Sequence, residues 1–158
     1  MPDLAPYRAA CIEKIQKTAE ALEGIPIVLD GGASLRPFSL ARFLIENGFF
    51  VKSLYADACP PFEAAALSWL DDHAKGLELL SMEGDAAPRM RRELPHAIAI
   101  GQRSAYQNST GHLVNLIADN GLWGYGGIMA LCDLLLTAKD EVVDLKQALY
   151  RSGMGCVL

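Results

Sequence analysis

The chain has 158 residues, of which 51% are hydrophobic and 21% charged, and a formal net charge of -5. This length fits a single domain with a sizeable core, and the composition excludes intrinsic disorder. An acidic balance without a basic stripe argues against a nucleic-acid partner. Four widely spaced cysteines without a CxxC pattern predict reduced thiols in a cytoplasmic protein, and no apolar run is long enough to predict a membrane span.

Helical and strand-like segments alternate along the chain. Apolar residues that recur every three or four positions predict helices, and short continuous apolar runs predict strands buried on both faces. The predicted strands are 25–29, 49–55, 77–81, 96–101 and 112–117. The predicted helices are an N-terminal helix within 1–24, then 34–48, 62–75, a short charged one at 88–94, one from 127 to about 139, and 141–151.

This alternation predicts an α/β fold of three layers, α/β/α, with a doubly wound, mainly parallel sheet of about five strands in the order 3-2-1-4-5. We expect one domain over 1–158, with the α/β core over 25–140 and a C-terminal helix and tail over 141–158. In that strand order, ligands are expected beyond the carboxyl ends of the first and fourth strands. The candidate site is therefore built from the loops at 30–34 and 101–105, flanked by 119–126.

The first of these loops contains the candidate ligand-binding residues Asp30, Gly31, Gly32 and Ser34. It joins a buried strand to the start of a helix, where free N–H groups and the helix dipole favour an anion. The loop is neither a GxGxxG motif nor a P-loop, which argues against NAD and against a Walker-type phosphate site. Alternatively, Gly31 and Gly32 serve only the backbone conformation of this turn and bind no ligand.

The second loop contains the candidates Gly101, Gln102 and Arg103. Arg103 could bind a carboxylate or phosphate in a bidentate manner. Alternatively, the segment is a polar loop in which Arg103 pairs with Asp119 or Asp30. No catalytic triad or paired catalytic carboxylates are found elsewhere, and isolated groups such as Cys59 are expected to be inert.

The stretch 119–127 places Trp123 and Tyr125 among four glycines, which predicts a flexible, apolar loop at the ligand edge of the sheet. Such a surface favours contact with another domain, a subunit or a flat cofactor. The alternative is that Trp123 covers the core and the glycines only turn the chain.

Several segments together resemble the C-terminal Rossmann-like domain of the nitrogenase component 1 type oxidoreductases. They are 25–32 followed by 40–44 and Asn47-Gly48, then 96–101 with Arg103 and Tyr106, and Trp123-Gly124-Tyr125-Gly126-Gly127 leading into Leu131 and 134–136. The likeness covers about residues 20–140. The family comprises the molybdenum–iron protein subunits, the scaffold subunits that assemble their cofactor, and tetrapyrrole reductases.

The resemblance implies that the chain belongs to a multi-domain reductase or cofactor scaffold that receives electrons from an iron–sulfur ATPase. In the family, a metallocluster or tetrapyrrole lies between domains, and the cluster-ligating cysteines come mainly from earlier domains. The catalytic subunit also has a cofactor-ligating histidine near the end of the fifth strand, where this chain reads Leu-Ile-Ala-Asp at 116–119. This departure argues against direct ligation of an iron–molybdenum cofactor and favours a scaffold or divergent homologue. Arg103 matches a basic position of the family, and Asp119 and Trp123 are carried over as pocket-wall candidates.

These observations predict a domain of a nitrogenase-like oxidoreductase or metallocofactor-assembly scaffold, inactive alone and binding no cofactor by itself. Its expected partners are other domains or subunits of such a complex, an iron–sulfur ATPase reductase and a second copy of the chain, but neither nucleic acid nor membrane. An iron–sulfur or molybdenum–iron-type cluster, or a tetrapyrrole, is expected only in the full assembly. One alternative is a stand-alone regulatory module that binds a small anion or nucleotide. Another is an oligomerisation domain whose interface is the first helix and the Trp123 loop.

Overall fold

The computed structural model describes residues 3–81 and 91–151. The helices are α1 (Ala5–Ala21), α2 (Pro37–Glu46), α3 (Ala64–His73), α4 (Gln102–Gln107), α5 (Gly124–Asp140) and α6 (Leu145–Arg151). The strands are β1 (Ile27–Asp30), β2 (Val51–Tyr55), β3 (Glu78–Leu80), β4 (Ile98–Ile100) and β5 (Leu113–Val114). Two short 3-10 helices lie at Pro61–Glu63 and Ala118–Gly121.

The five strands form one parallel sheet in the order β3-β2-β1-β4-β5, which confirms the predicted fold class and topology. The central strand β1 is buried along its whole length, as its continuous apolar run predicts. It pairs with β2 on one side, Ile27 lying opposite Val51, and with β4 on the other, Ile27 lying opposite Ile98. The carboxyl ends of β1 and β4 therefore lie side by side.

Helices cover both faces of the sheet. Ile27 and Leu29 point into a large core that α1, α2, α3 and α5 complete, whereas Val28 points into a smaller core with Ala99 and Ala105 of α4. Side chains alternate between the faces of a strand, so consecutive residues of β1 enter different cores. Within the described residues, no helix is both long and apolar enough to cross a membrane.

The predicted polar loop after β4 is wrong, because residues 102–107 form the helix α4. Its inward side chains Gln102, Ser104 and Gln107 are polar and buried, so the segment lacks the apolar period that predicts a helix. The Ser104 hydroxyl is satisfied locally, since it donates to the Ile100 and Gly101 carbonyl oxygens at 3.2 and 3.0 Å.

The flexible glycine loop predicted around Trp123 is also wrong, because α5 begins at Gly124 and includes three of the four glycines. The Gly127 N–H donates to the Trp123 carbonyl oxygen at 3.0 Å. A Cβ atom on Gly127 would lie 2.3 Å from the carbonyl carbon of Leu122. Glycine therefore lets the first turn of α5 pack closely on the chain that precedes it.

Three other boundaries differ from the prediction. The fifth strand is only two residues long, because the Leu116 N–H turns back to the Val114 carbonyl oxygen at 2.9 Å. The last helix begins at Leu145, because residues 141–144 are extended and the Val143 N–H bonds the Gly111 carbonyl oxygen at 2.9 Å. The predicted helix at 88–94 is not helical over 91–94, while 88–90, like the tail 152–158, lies outside the described residues.

Candidate functional site

A cleft of about 590 Å³ opens at the carboxyl ends of β1 and β4. This is the switch point of the sheet, where α/β folds bind ligands. Six of the residues that the sequence singled out line the cleft: Asp30, Gly31, Gly32, Ser34, Gln102 and Arg103. Asp57, Leu35 and Ile117 add an acid and two apolar walls. The cleft thus combines carboxylates, one guanidinium and apolar surface.

Asp30 is the most constrained group of the cleft, with only 3% of its surface exposed. Its Oδ1 accepts the Gly32 N–H at 2.9 Å and its Oδ2 accepts the Ser104 N–H at 3.1 Å, and the Arg103 backbone N–H also bonds this carboxylate. Burial raises the pKa of Asp30, and the three backbone bonds and the Arg103 charge offset only part of this rise. The N–H groups at the start of α4 are therefore already occupied by the chain's own carboxyl group.

Gly101 acts on the cleft through Asp30. Its φ of 103° and ψ of 154° lie in a region that only glycine adopts readily. A Cβ atom at this position would lie 2.2 Å from Asp30 Oδ2. Glycine at the end of β4 therefore allows the carboxylate to reach α4. Gly31 and Gly32 have no left-handed φ, and Gly32 packs closely against Asp30 Oδ1 instead.

A second, mostly apolar hollow of about 350 Å³ adjoins the cleft, between α2 and the start of α5. Asp119 and Trp123, the remaining two predicted site residues, line this groove rather than the cleft. Ser34 and Leu116 line both hollows. The apolar side chains of the groove are Leu40, Phe43, Leu116, Leu122, Trp123, Ile128 and Leu131. The structure thus brings the predicted residues to one edge of the sheet, in two adjoining hollows.

The turn at Ala118–Gly121 is bound to the loop after β1. The Ala118 N–H donates to the Gly32 carbonyl oxygen and the Asp119 N–H to the Ala33 carbonyl oxygen, both at 2.9 Å. The Asp119 carboxylate accepts the Leu35 N–H at 3.1 Å. Asp119 therefore bonds the backbone after β1, and not Arg103, with which one of the alternatives paired it.

The start of α2 is bonded by an acid that the sequence analysis missed, Glu63 of the 3-10 helix before α3. Glu63 is 1% exposed, and its carboxylate accepts both the N–H and the hydroxyl of Ser39, at 2.9 and 2.5 Å. The Arg36 N–H donates to Ser34 Oγ at 3.0 Å. Glu63 lies 24 residues from Ser39 in the chain, so no local pattern could have revealed this cap. Here too, the chain's own oxygen atoms occupy N–H groups that an anion would use.

Three large apolar side chains stand exposed around the two hollows: Leu35 at 56%, Ile117 at 60% and Trp123 at 64%. Leu35 and Ile117 line the cleft, and Trp123 lines the groove. The high exposure of Trp123 contradicts the alternative in which it covers the core. We refer to Leu35, Ile117 and Trp123 as the apolar rim.

Among the described residues, the cysteine and histidine side chains do not line either hollow. Cys59 is partly buried with its Sγ 3.6 Å from the Pro60 carbonyl oxygen, and the His112 Nδ1 lies 2.7 Å from the Ala138 carbonyl oxygen. His73 is in the last turn of α3 and stacks on Trp69. Over residues 3–81 and 91–151, no three His, Cys, Asp or Glu side chains are grouped so that they could hold a metal ion.

No protein-family model matches the chain, and neither does any curated protein or any solved structure. The resemblance to the nitrogenase component 1 type oxidoreductases therefore rests on the sequence motifs alone.

Proposed function

We propose that this chain is a domain of a nitrogenase-like oxidoreductase, or of a scaffold subunit that assembles its metallocofactor, and that it forms one wall of an interdomain pocket. On this proposal the chain is inactive alone and works in the cytoplasm with other domains or subunits. An iron–sulfur ATPase is the electron source of the assembly. The observation that carries the proposal is the apolar rim around the cleft and the groove.

The rim supports a covered surface because it places three large exposed apolar side chains around one site. Leu35, Ile117 and Trp123 expose between 56% and 64% of their surfaces, and they come from two segments, after β1 and after β5, at the ligand edge of the sheet. Contiguous exposed apolar surface next to a cleft is typical of a site for a partner or a ligand. Burying these three side chains would gain roughly 1.5–3 kcal/mol each, which favours a neighbouring domain over solvent.

The side chains that line the cleft and the groove determine which kind of cofactor this wall could contact. In the part of the chain that the structure describes, the cleft and the groove are lined by carboxylates, guanidinium, amide, hydroxyl and apolar groups, without a thiol or imidazole. Iron–sulfur clusters take thiolate or imidazole ligands. The lining therefore does not fit direct ligation of a cluster, and the proposal assigns those ligands to a neighbouring domain. A tetrapyrrole fits this wall better, because the rim is apolar and Arg103 can pair with a carboxylate.

Co-expression tests the proposal directly. The chain is produced together with the domains that bear cluster-type cysteines and are encoded beside it or in the same reading frame, and complex formation is measured by light scattering after gel filtration. We expect a stable complex that Trp123→Ser and Ile117→Ser weaken at least about tenfold. The matched control is Tyr150→Ser, which removes an equally exposed aromatic (73%) from α6 and should leave the complex unchanged.

Two results would contradict the proposal. One is equal binding by the rim variants and the α6 control, which would show that the rim is not the contact. The other is stoichiometric iron bound by the chain alone after anaerobic preparation, which would show that the domain holds a cluster by itself.

The alternative function, a module that binds a small anion or nucleotide, is supported by one observation: Arg103 has an exposed side chain and lines the cleft. Opposing it, Asp30 already occupies the backbone N–H groups of Gly32, Arg103 and Ser104. A thermal-shift screen distinguishes the two functions. A rise of several degrees with a nucleotide, lost in Arg103→Ala but kept in the exposed control Arg8→Ala, would favour the alternative.

A further inference from the structure

The segment between the cleft and the groove has an unusual backbone. Ala118, Asp119, Asn120 and Gly121 have φ angles of 46°, 63°, 42° and 79°, so four consecutive residues are left-handed. Three of them carry a Cβ atom, and such residues enter this region only singly in most proteins. Strained conformations persist where the surrounding structure holds them, and they concentrate at ligand clamps and switch regions. We refer to residues 117–123 as the strap.

Three hydrogen bonds hold the strap against the loop after β1. Two are backbone bonds, from the Ala118 and Asp119 N–H groups to the Gly32 and Ala33 carbonyl oxygens at 2.9 Å. The third is the bond from the Leu35 N–H to the Asp119 carboxylate at 3.1 Å, in an exposed position. Asp119 therefore contributes to the attachment through both its backbone and its side chain.

The rest of the fold supports the strap unevenly. Leu122 packs against the large core and close to Gly127 in the first turn of α5. The preceding strand β5 has two residues and lies at the edge of the sheet. Ile117 and Trp123, at the two ends of the strap, are among the most exposed apolar residues of the described chain. Few buried apolar contacts and exposed hydrogen bonds are the features of a locally opening segment.

We propose that the strap is a two-state element and that Asp119 is the residue that positions it. In the closed state, the state described above, the strap is bonded to the loop after β1, with Ile117 lining the cleft and Asp119 and Trp123 lining the groove. In the released state Asp119 leaves the Leu35 N–H, the left-handed residues relax, and the two hollows join along Ser34 and Leu116, which line both. The inference concerns the chain alone and does not depend on the proposed function.

Amide hydrogen exchange of the full chain, resolved by residue, tests the strap. The reporters are the Leu35 and Asp119 amides, and the references are the Ile98 and Gly101 amides, which bond Pro26 and Val114 carbonyl oxygens within the sheet. In the wild-type chain we expect the reporters to exchange at least about tenfold faster than the references, because local opening needs less free energy than global unfolding.

Variants separate the positioning role of Asp119 from a merely structural one. For Asp119→Ala the Leu35 amide should exchange about tenfold faster than in the wild-type chain, with the references unchanged. Asp119→Asn keeps an acceptor oxygen for the Leu35 N–H and should restore exchange to about the wild-type rate. Ala118→Gly should slow the Asp119 amide, because glycine adopts the left-handed conformation without strain and so favours the closed state.

Three results would overturn the inference. The first is wild-type reporters that exchange at the same rate as the references, since the strap would then open only by global unfolding. The second is faster exchange at reporters and references alike in Asp119→Ala. The third is failure of Asp119→Asn to slow the Leu35 amide relative to Asp119→Ala. The first result does not involve the alanine variant, so it overturns the inference whether or not that variant folds.

Discussion

Replacing Gly101 with alanine is expected to destabilise the protein severely, through one identifiable contact. The new Cβ atom would lie 2.2 Å from Asp30 Oδ2, 2.5 Å from its Cγ and 2.8 Å from its Oδ1. The carboxylate cannot easily move away, because it is buried and bonded by the backbone N–H groups of Gly32 and Ser104. Alanine would also have to adopt the φ of 103° that Gly101 has.

Two costs add up in this variant. A residue with a Cβ atom in this backbone region costs about 1–3 kcal/mol. Displacement of Asp30 leaves the backbone N–H groups of Gly32 and Ser104 without their acceptor, at about 1–3 kcal/mol for each buried group. We therefore expect a loss of about 3–5 kcal/mol in the free energy of unfolding. At about 2–4 °C per kcal/mol for a domain of this size, the melting temperature should fall by roughly 10 °C.

Thermal and urea unfolding followed by circular dichroism measure this loss. The matched control is Gly76→Ala, because no atom lies within 4 Å of a Cβ atom built at Gly76. The contact itself is isolated in a double-mutant cycle: in an Asp30→Ala background, Gly101→Ala should cost clearly less. The reasoning is refuted if Gly101→Ala melts within about 2 °C of the wild-type chain, or if its cost is the same in both backgrounds.

Three further predictions concern single contacts. Burial raises the pKa of Asp30 above its ordinary value of 3.8. The stability that protonation of Asp30 contributes is therefore complete below pH 3.8 and is lost as the pH rises through the raised pKa, so the urea midpoint of the wild-type chain should fall over that range. The urea midpoint of Asp30→Asn should not show this fall. Glu63→Ala should cost about 1–3 kcal/mol in urea unfolding, because it leaves a buried N–H group of α2 without its acceptor, and Glu63→Gln should cost less. The two adjacent glycines of α5 should respond in opposite ways. Gly126→Ala should raise the free energy of unfolding by about 0.5–1 kcal/mol, since nothing lies near its Cβ position, whereas Gly127→Ala should lower it by about 1–3 kcal/mol through its contact with Leu122. Equal melting temperatures of the two variants would contradict this assignment.

The topology of the sheet could be predicted because its strands are continuous apolar runs. The segment 25–29 has no polar alternation, and β1 is indeed buried on both faces at the centre of the sheet. The helix α4 could not be predicted in the same way, because its buried side chains Gln102, Ser104 and Gln107 are polar, and Gln102 and Ser104 are held by hydrogen bonds. Periodicity detects only helices that present an apolar stripe.

The location of the candidate site followed from topology, whereas its chemistry did not. Strand order alone places Asp30 and Arg103 at adjoining strand ends, and both line the cleft. Nothing in the sequence indicated that the Asp30 carboxylate would occupy the start of α4, since Ser104 lies 74 residues away. The same holds for Glu63 and the start of α2. Contacts between distant residues depend on packing that no local pattern records.

The strand order also has a consequence for how the chain folds. The pairing of β1 with β2 closes a short stretch of chain through α2, whereas the pairing of β1 with β4 joins Ile27 to Ile98 across about 70 residues. Local βαβ pairing costs less loop-closure entropy, so we expect the unit from β1 to β2 to assemble first and to act as a template for the later half of the chain. The cleft forms only when β4 docks on β1, and the candidate site is therefore created late, by the non-local half of the assembly.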